Sequence, residues 1–215
     1  MTPYFKQLEI GPLQNFIYLI GSLETRQAVV VDPGWDVKKI LDTAAQDEMK
    51  ITTVLVTHTH FDHINGVEEI VKATDARVLV HKKEAESLPI EKSSVIPIEG
   101  GYEFEAGSIK LSLLHTPGHT PGSVCLQVAD RLMTGDTLFI GGCGRCDLPG
   151  GDPELMHKSL TRLRQMDDRI VLYPGHNYAP EPSSELGKEK TCNPFLGAPD
   201  SDSVLKLVGG VVRRG

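Results

Sequence analysis

The sequence predicts a mixed α/β (α+β) fold in which sheets are covered by helices. Strand-like and helix-like periods alternate along the chain, and several strand pairs are joined by hairpin signals. The 21 Gly and 14 Pro in 215 residues are also too many turn formers for a helical bundle. No internal repeat or low-complexity linker interrupts the chain, so one domain is expected over residues 1–215.

Residues 16–20 (FIYLI) and 28–32 (AVVVD) read as two short strands around a polar turn, the second ending at Asp32-Pro33-Gly34. From Asp36 to about Ala45, apolar residues at 37, 40, 41, 44 and 45 make one helical face, with Asp36 as its N-cap. A buried strand is expected over Ile51–Thr57, a helix over Val67–Thr74 and a strand over Arg77–His81. Hairpins are expected over 102–116 and over 123–128 with 131–135. A helix follows from Pro153 to about Gln165, then a short strand over Ile170–Tyr173. The tail from Ala198 carries one apolar stretch, LKLVGGVV, and its end is expected to be loosely held.

The formal charge is −7, from 29 acidic and 22 basic side chains, which argues against a nucleic-acid binder. The small basic group Lys188, Lys190, Arg213 and Arg214 reads as solvated charge. No apolar run approaches the roughly 20 residues a membrane span needs. The N-terminus MTPYFKQLEIG lacks the pattern of a secretion signal, so a cytoplasmic protein is expected. Four cysteines do not make a disulfide framework.

The strongest signal is His58-Thr59-His60-Phe61-Asp62-His63, four potential metal ligands within six residues, directly after an apolar strand. In extended backbone His58 and His60 point the same way, while Asp62 and His63 follow where the next helix starts. Zinc favours imidazole and carboxylate, and a catalytic site leaves one position open. This run alone exceeds the ligands one such ion needs, so two metals are inferred. His119, Asp136 and His176 each follow an apolar strand and sit beside a glycine. The shared context reads as loops converging on one face of a sheet, where glycine permits close backbone approach.

With these residues in place, the chain resembles the metallo-β-lactamase superfamily, an αββα sandwich of two mixed sheets flanked by helices. The resemblance runs from Asn15 and Asp32-Pro33-Gly34 to His176. It implies a first metal held by His58, His60 and His119, a second by Asp62, His63 and His176, and Asp136 bridging both. The ions implied are two divalent cations, zinc first, with iron or manganese as alternatives. Within the superfamily the chain is similar to the glyoxalase II and persulfide dioxygenase branch. The stretches carrying that likeness are Gly135–Phe139, Gly141-Gly142-Cys143-Gly144-Arg145, Gly151-Asp152-Pro153 and Tyr173–Tyr178. Carried over from glyoxalase II, Arg145 and Tyr178 are expected to contact the thiol carrier of the substrate.

Two departures stand out: Asp147 occupies a position where an aromatic residue is expected, and the helical C-terminal extension of long glyoxalase II is too short. The first expectation is a hydrolase of glutathione-type thioesters, using a hydroxide shared by the metals, with Asp62 also orienting the nucleophile. The alternative is a mononuclear iron dioxygenase of glutathione persulfide using His58, His119 and Asp136. Against it, Phe61 stands where those enzymes commonly carry Ala. A third reading is a non-catalytic metal-binding regulator, and β-lactam hydrolysis is weaker still. The partner expected is a small thiol-derived substrate, not nucleic acid or membrane.

Asp32 is expected to hydrogen-bond a ligand histidine or the loop backbone. The Cys143-x-x-Cys146 pair lacks a thioredoxin-like context and is not read as a redox centre. Trp35 reads as packing, and His81, His115 and His157 lie outside the ligand pattern.

Overall fold

The computed structural model describes residues 2–212; Arg213 and Arg214 lie outside the described residues. Two six-stranded mixed sheets pack face to face, and each carries helices on its outer side. The first sheet runs β1 (Tyr4–Ile10), β2 (Asn15–Ser22), β3 (Gln27–Val31), β4 (Lys50–Val56), β5 (Arg77–His81), β6 (Val95–Ile98) in that spatial order. β1 to β3 are antiparallel neighbours, and β3 to β6 pair in parallel. The helices α1 (Val37–Gln46), α2 (Phe61–Ile64) and α3 (Val67–Thr74) fall between the parallel strands, as parallel pairing requires a crossover.

The second sheet contains β7 (Glu103–Ala106), β8 (Ile109–His115), β9 (Val124–Val128) and β10 (Arg131–Gly135) as an antiparallel meander. After a small hairpin of β11 (Leu138–Phe139) and β12 (Gly142–Cys143) and the helix α4 (Pro153–Arg164), β13 (Val171–Pro174) joins β10 in parallel. β14 (Ser184–Glu185) pairs with β13, and α5 (Leu186–Cys192) and α6 (Ser201–Val212) complete the outer layer.

Strand alternation explains the layering. In β2, Ile17 and Leu19 face the layer of α1 and α3, while Phe16, Tyr18 and Ile20 face the second sheet. Both faces are covered, so the whole strand is buried. Phe16, Tyr18, Val29, Val31 and Leu55 meet Leu111, Leu113, Leu126 and Met133 between the sheets. A third cluster joins Leu132 and Leu172 of the second sheet to Met156, Leu160 and Leu163 of α4 and to Val204 and Val208 of α6.

Asp36 caps α1 by accepting from Lys39 N at 3.1 Å, as the sequence predicts. Asp152 caps α4, with Pro153 at the first helical position. The sequence assigns no element to the tail, and the end expected to be loosely held, residues 213–215, lies outside the described residues. Yet α6 is a formed helix through Val212, with Val204 and Val208 buried against α4. Gly209 and Gly210 lower its intrinsic propensity, but the i, i+4 apolar pair supplies a packed face. β1 was not expected either, because its edge-strand burial has no clean period of two.

Candidate metal centre

All the candidate ligands follow strand ends at one rim of the sandwich. β4 leads to His58 and His60, and α2 carries Asp62 and His63. The β8–β9 connection carries His119, the end of β10 Asp136, and the end of β13 His176. Backbone bonds tie the two sheets at this rim: Phe16 N donates to Gly175 O at 2.8 Å, and Val124 N to Thr57 O at 3.0 Å. Two of the expected glycines are needed sterically. Gly135 has φ +48°, and a Cβ there would lie 2.6 Å from Thr57 Oγ1; a Cβ on Gly175 would lie 2.3 Å from Asp136 Oδ1.

The seven side chains converge as two trios. His60 Nδ1 lies 3.1 Å from His58 Nε2 and 2.9 Å from His119 Nε2. His63 Nε2 lies 3.2 Å from His176 Nε2, with Asp62 Oδ2 at 3.5 and 3.4 Å from those two nitrogens. Asp136 sits between the trios: Oδ1 is 3.5 Å from His63 Nε2, and Oδ2 is 3.6 Å from His119 Nε2 and 3.4 Å from His176 Nε2. All seven are buried except His60, which is half-buried.

Hydrogen bonds on the far side of the rings fix their tautomers. His119 Nδ1 donates to Arg145 O at 2.6 Å, His176 Nδ1 to Leu13 O at 2.9 Å, and His63 Nδ1 to Asp32 Oδ2 at 3.0 Å. Each acceptor is a carbonyl or carboxylate, so Nδ1 carries a proton and, in the neutral ring, Nε2 turns a lone pair inward. His58 Nδ1 is held at 3.1 Å by Thr57 Oγ1, which itself donates to Asp32 Oδ2 at 2.6 Å. His63 and His176 thus bring their Nε2 atoms to 3.2 Å, where two neutral rings would set lone pair against lone pair unless a proton or a cation lies between. Asp136 Oδ1 is buried with no hydrogen-bond partner, an expense of burial that a coordinated cation would remove. The donor set therefore fits two divalent cations.

The charges point the same way. Burial alone would lower His63, but Asp136, Asp32 and Asp62 outweigh it and raise the imidazole to about 9. Burial alone would raise Asp136, but His63, His176 and His58 hold it well below the usual carboxylate range. Burial, reinforced by His63, pushes His58 well below the ordinary imidazole value. The pocket is thus short of positive charge around its carboxylates while one of its histidines resists protonation.

Asp32, close to His58 and His63, is fully engaged otherwise: Oδ1 accepts from Thr57 N at 2.7 Å and Oδ2 from Thr57 Oγ1 and His63. Its role is the orienting one read from the sequence. Three further residues were missed in that capacity. Asn15 Nδ2 donates to Asp62 Oδ2 at 2.9 Å, and Trp35 Nε1 donates to Asn15 Oδ1 at 2.8 Å, so the indole sets which way the amide faces. Trp35 is more than packing. Glu84 accepts from Thr59 N at 3.2 Å, from Thr59 Oγ1 and from Gly122 N at 2.8 Å, clamping the His58–His60 loop to the His119 loop.

A cavity of about 440 Å³ opens beside His60, His119 and Asp136. Arg145 and Tyr178 stand on its wall. Arg145 forks onto Asp147, with Nε–Oδ1 at 2.9 Å and Nη2–Oδ2 at 3.0 Å, which explains what the unexpected acid at 147 does. The Tyr178 ring, 59% exposed, stacks on His176 with centroids 4.7 Å apart and planes 8° apart. Cys143 and Cys146 are unpaired thiols; burial raises both, Cys146 to about 11, so neither is activated. His81 and His115 stack on each other at 4.1 Å, and His157 bonds Ala198 O, all three away from the ligand cluster. Lys190 pairs with Asp168. Among the described residues no helix is long and apolar enough to cross a membrane.

With this architecture and rim, the chain belongs to the metallo-beta-lactamase superfamily, whose family model matches residues 10–176. It falls in the glyoxalase II and persulfide dioxygenase branch of that superfamily. It is 33% identical over 173 residues to a probable polyketide biosynthesis zinc-dependent hydrolase, PksB, of Bacillus subtilis, covering 80% of this chain and 77% of the relative. It is 33% identical over 217 residues to the hydroxyacylglutathione hydrolase of Shewanella loihica, covering 85% and 81%. The crystal structure of ETHE1 from Myxococcus xanthus superposes with a TM-score of 0.87 at 31% identity, over 97% of this chain and 91% of that one.

The Glu84 clamp generates a pH-dependent prediction. Burial alone would raise Glu84, but hydrogen bonds from Thr59, Thr120 and Gly122 hold it below its ordinary value of 4.5. A depressed folded-state value contributes stability above the unfolded value that is lost as pH falls through the folded one. Glu84→Gln should therefore destabilise most near neutral pH, by roughly 1–3 kcal/mol, and the gap to wild type should shrink below about pH 4.5. Urea unfolding at several pH values checks this; a gap that widens on acidification contradicts the clamp.

Proposed function

We propose that this protein is a binuclear metal-dependent thioester hydrolase of the glyoxalase II type, acting on glutathione-type thioesters. One observation carries the reading: two donor trios flank one carboxylate whose Oδ1 is buried without a hydrogen-bond partner. In this reading His58, His60 and His119 hold one cation, Asp62, His63 and His176 hold the other, and Asp136 serves both. The name of the Bacillus relative supports zinc as the metal. That of the Shewanella relative supports an acylglutathione as the substrate.

When bound, such cations supply a water acidified to a pKa near ~7 and a Lewis acid for the carbonyl oxygen. The chain's own groups do the rest. Asn15 holds Asp62 Oδ2, leaving Oδ1 to accept a proton from the reacting water and orient it toward the carbonyl carbon. The departing thiolate needs little protonation, because a thiol is already acidic near pH ~8.5. Arg145 and Tyr178 contact the thiol carrier at the cavity rim, where Asp147 holds the guanidinium in its fork.

The persulfide dioxygenase branch offers the second reading, a single iron on His58, His119 and Asp136. The intact second trio favours the hydrolase. Purified enzyme should hydrolyse S-lactoylglutathione, and His58→Ala should lose more than the 10–100-fold typical of losing an outer partner. Oxygen uptake on glutathione persulfide without thioester hydrolysis would replace the reading with the second one.

Asn15→Ala separates the two trios. It should weaken one of two bound ions by roughly 10–100-fold and change the emission of Trp35, the single tryptophan of the chain, on titration with chelator. Two ions released together at wild-type chelator concentration would contradict the role given to Asn15.

A further inference from the structure

The cavity beside the donor cluster has a lining that a glutathione moiety does not match. His60, His119 and Asp136 form one end. The rest is dominated by Phe139 and Ile140 from the β11–β12 turn, Leu148, Phe195 and Val208 of α6. Among the described residues, Arg145 is the only Lys or Arg on this lining, and Asp147 already pairs with it in a two-bonded fork. Glutathione carries two carboxylates and an ammonium. Buried here they would lack partners, and an unpaired buried charge is strongly unfavourable. An apolar chain has no such requirement, and pockets of this size and lining are typical of small-molecule sites.

The wall is also pre-formed. Phe195 and Val208 belong to the buried cluster under α4 and α6. The turn carrying Phe139 and Ile140 is pinned from beneath: Glu189, fully buried, accepts from Gly141 N at 2.8 Å, and Asn193 Nδ2 donates to Phe139 O at 3.0 Å and Gly142 O at 3.2 Å. A rigid wall binds a chain without first paying to order itself.

Resting on the thioester hydrolase reading, we propose that this cavity takes the acyl half of the substrate, and that the acyl group is an apolar chain of several carbons rather than a small hydroxyacyl group. The carbonyl lies against His60, His119 and Asp136, the chain runs toward Phe195 and Val208, and the polar thiol carrier stays at the rim beside Arg145 and Tyr178. Hydrolysis breaks the carbon–sulfur bond. The oxygen of water joins the acyl carbon, one of its protons ends on the thiol and the other is released from the carboxylic acid.

The test uses the metal-loaded enzyme with S-acylglutathiones from acetyl and lactoyl to octanoyl, and with S-methyl- and S-octylglutathione as unreactive ligands. The proposal expects kcat/KM to rise by about fourfold per added methylene until the cavity is full, and S-octylglutathione to bind more tightly than S-methylglutathione. Leu148→Trp and Ile140→Trp, both at half-buried positions, should end the rise at a shorter chain. Hydrolysis that is flat or falls with chain length, or that is fastest on lactoyl, overturns the proposal while the hydrolase reading stands. Absence of hydrolysis at every length fails the hydrolase reading instead. The acyl-chain site then stands only as a binding site, if S-octylglutathione still binds more tightly, and is overturned if the two ligands bind alike.

Discussion

The arrangement of the site rests on what happens at the outer edge of each histidine ring. A peripheral acceptor, Asp32, Arg145 O, Leu13 O or Thr57 Oγ1, accepts a hydrogen bond from the Nδ1–H of four imidazoles and so, in each neutral ring, leaves Nε2 to present a lone pair inward. Lone pairs that face one another at 3.2 Å, with a partnerless carboxylate oxygen beside them, are tolerable only around shared positive charge. The folded rim spends stability on this arrangement, and cation binding recovers it.

That constraint explains features of the fold distant from the ligands. The acceptors lie on loops of both sheets, so the sandwich must close with its strand ends in register. The bonds from Phe16 N to Gly175 O and from Val124 N to Thr57 O maintain this closure. Glycine at 175 lets one sheet's backbone approach the carboxylate of another loop. Glu84 does the same for the two loops that supply the first trio. On the far side, α6 docks on α4 and carries Val208 to the cavity, so the outer helical layer shapes the space beside the donors.

Much of this was legible in the sequence where the signal is local. The His58–His63 run declares itself because four donors occupy consecutive turns of backbone at one strand end, and His119, Asp136 and His176 share a strand-then-glycine context. The division into trios came from family resemblance; the structure brings His58, His60 and His119 within ligand range of one another, and likewise Asp62, His63 and His176. The residues that were missed act across the chain: Asn15 reaches Asp62 over 47 positions and Glu84 reaches Gly122 over 38. Neither spacing leaves a local pattern. The sequence assigns no element to the α6 segment, because its apolar pair Val204 and Val208 is followed by the poor helix formers Gly209 and Gly210 and its burial depends on packing against α4. Asp147 looked like a departure until the fold put it in a fork with Arg145.

Anomalous diffraction at the zinc, iron and manganese edges, from crystals grown without chelator, tests the central claim most directly. The account predicts two peaks a few ångströms apart, one against His58, His60 and His119, the other against Asp62, His63 and His176, with Asp136 touching both. A lone peak held by His58, His119 and Asp136, with the second trio hydrogen-bonded to water, would contradict it.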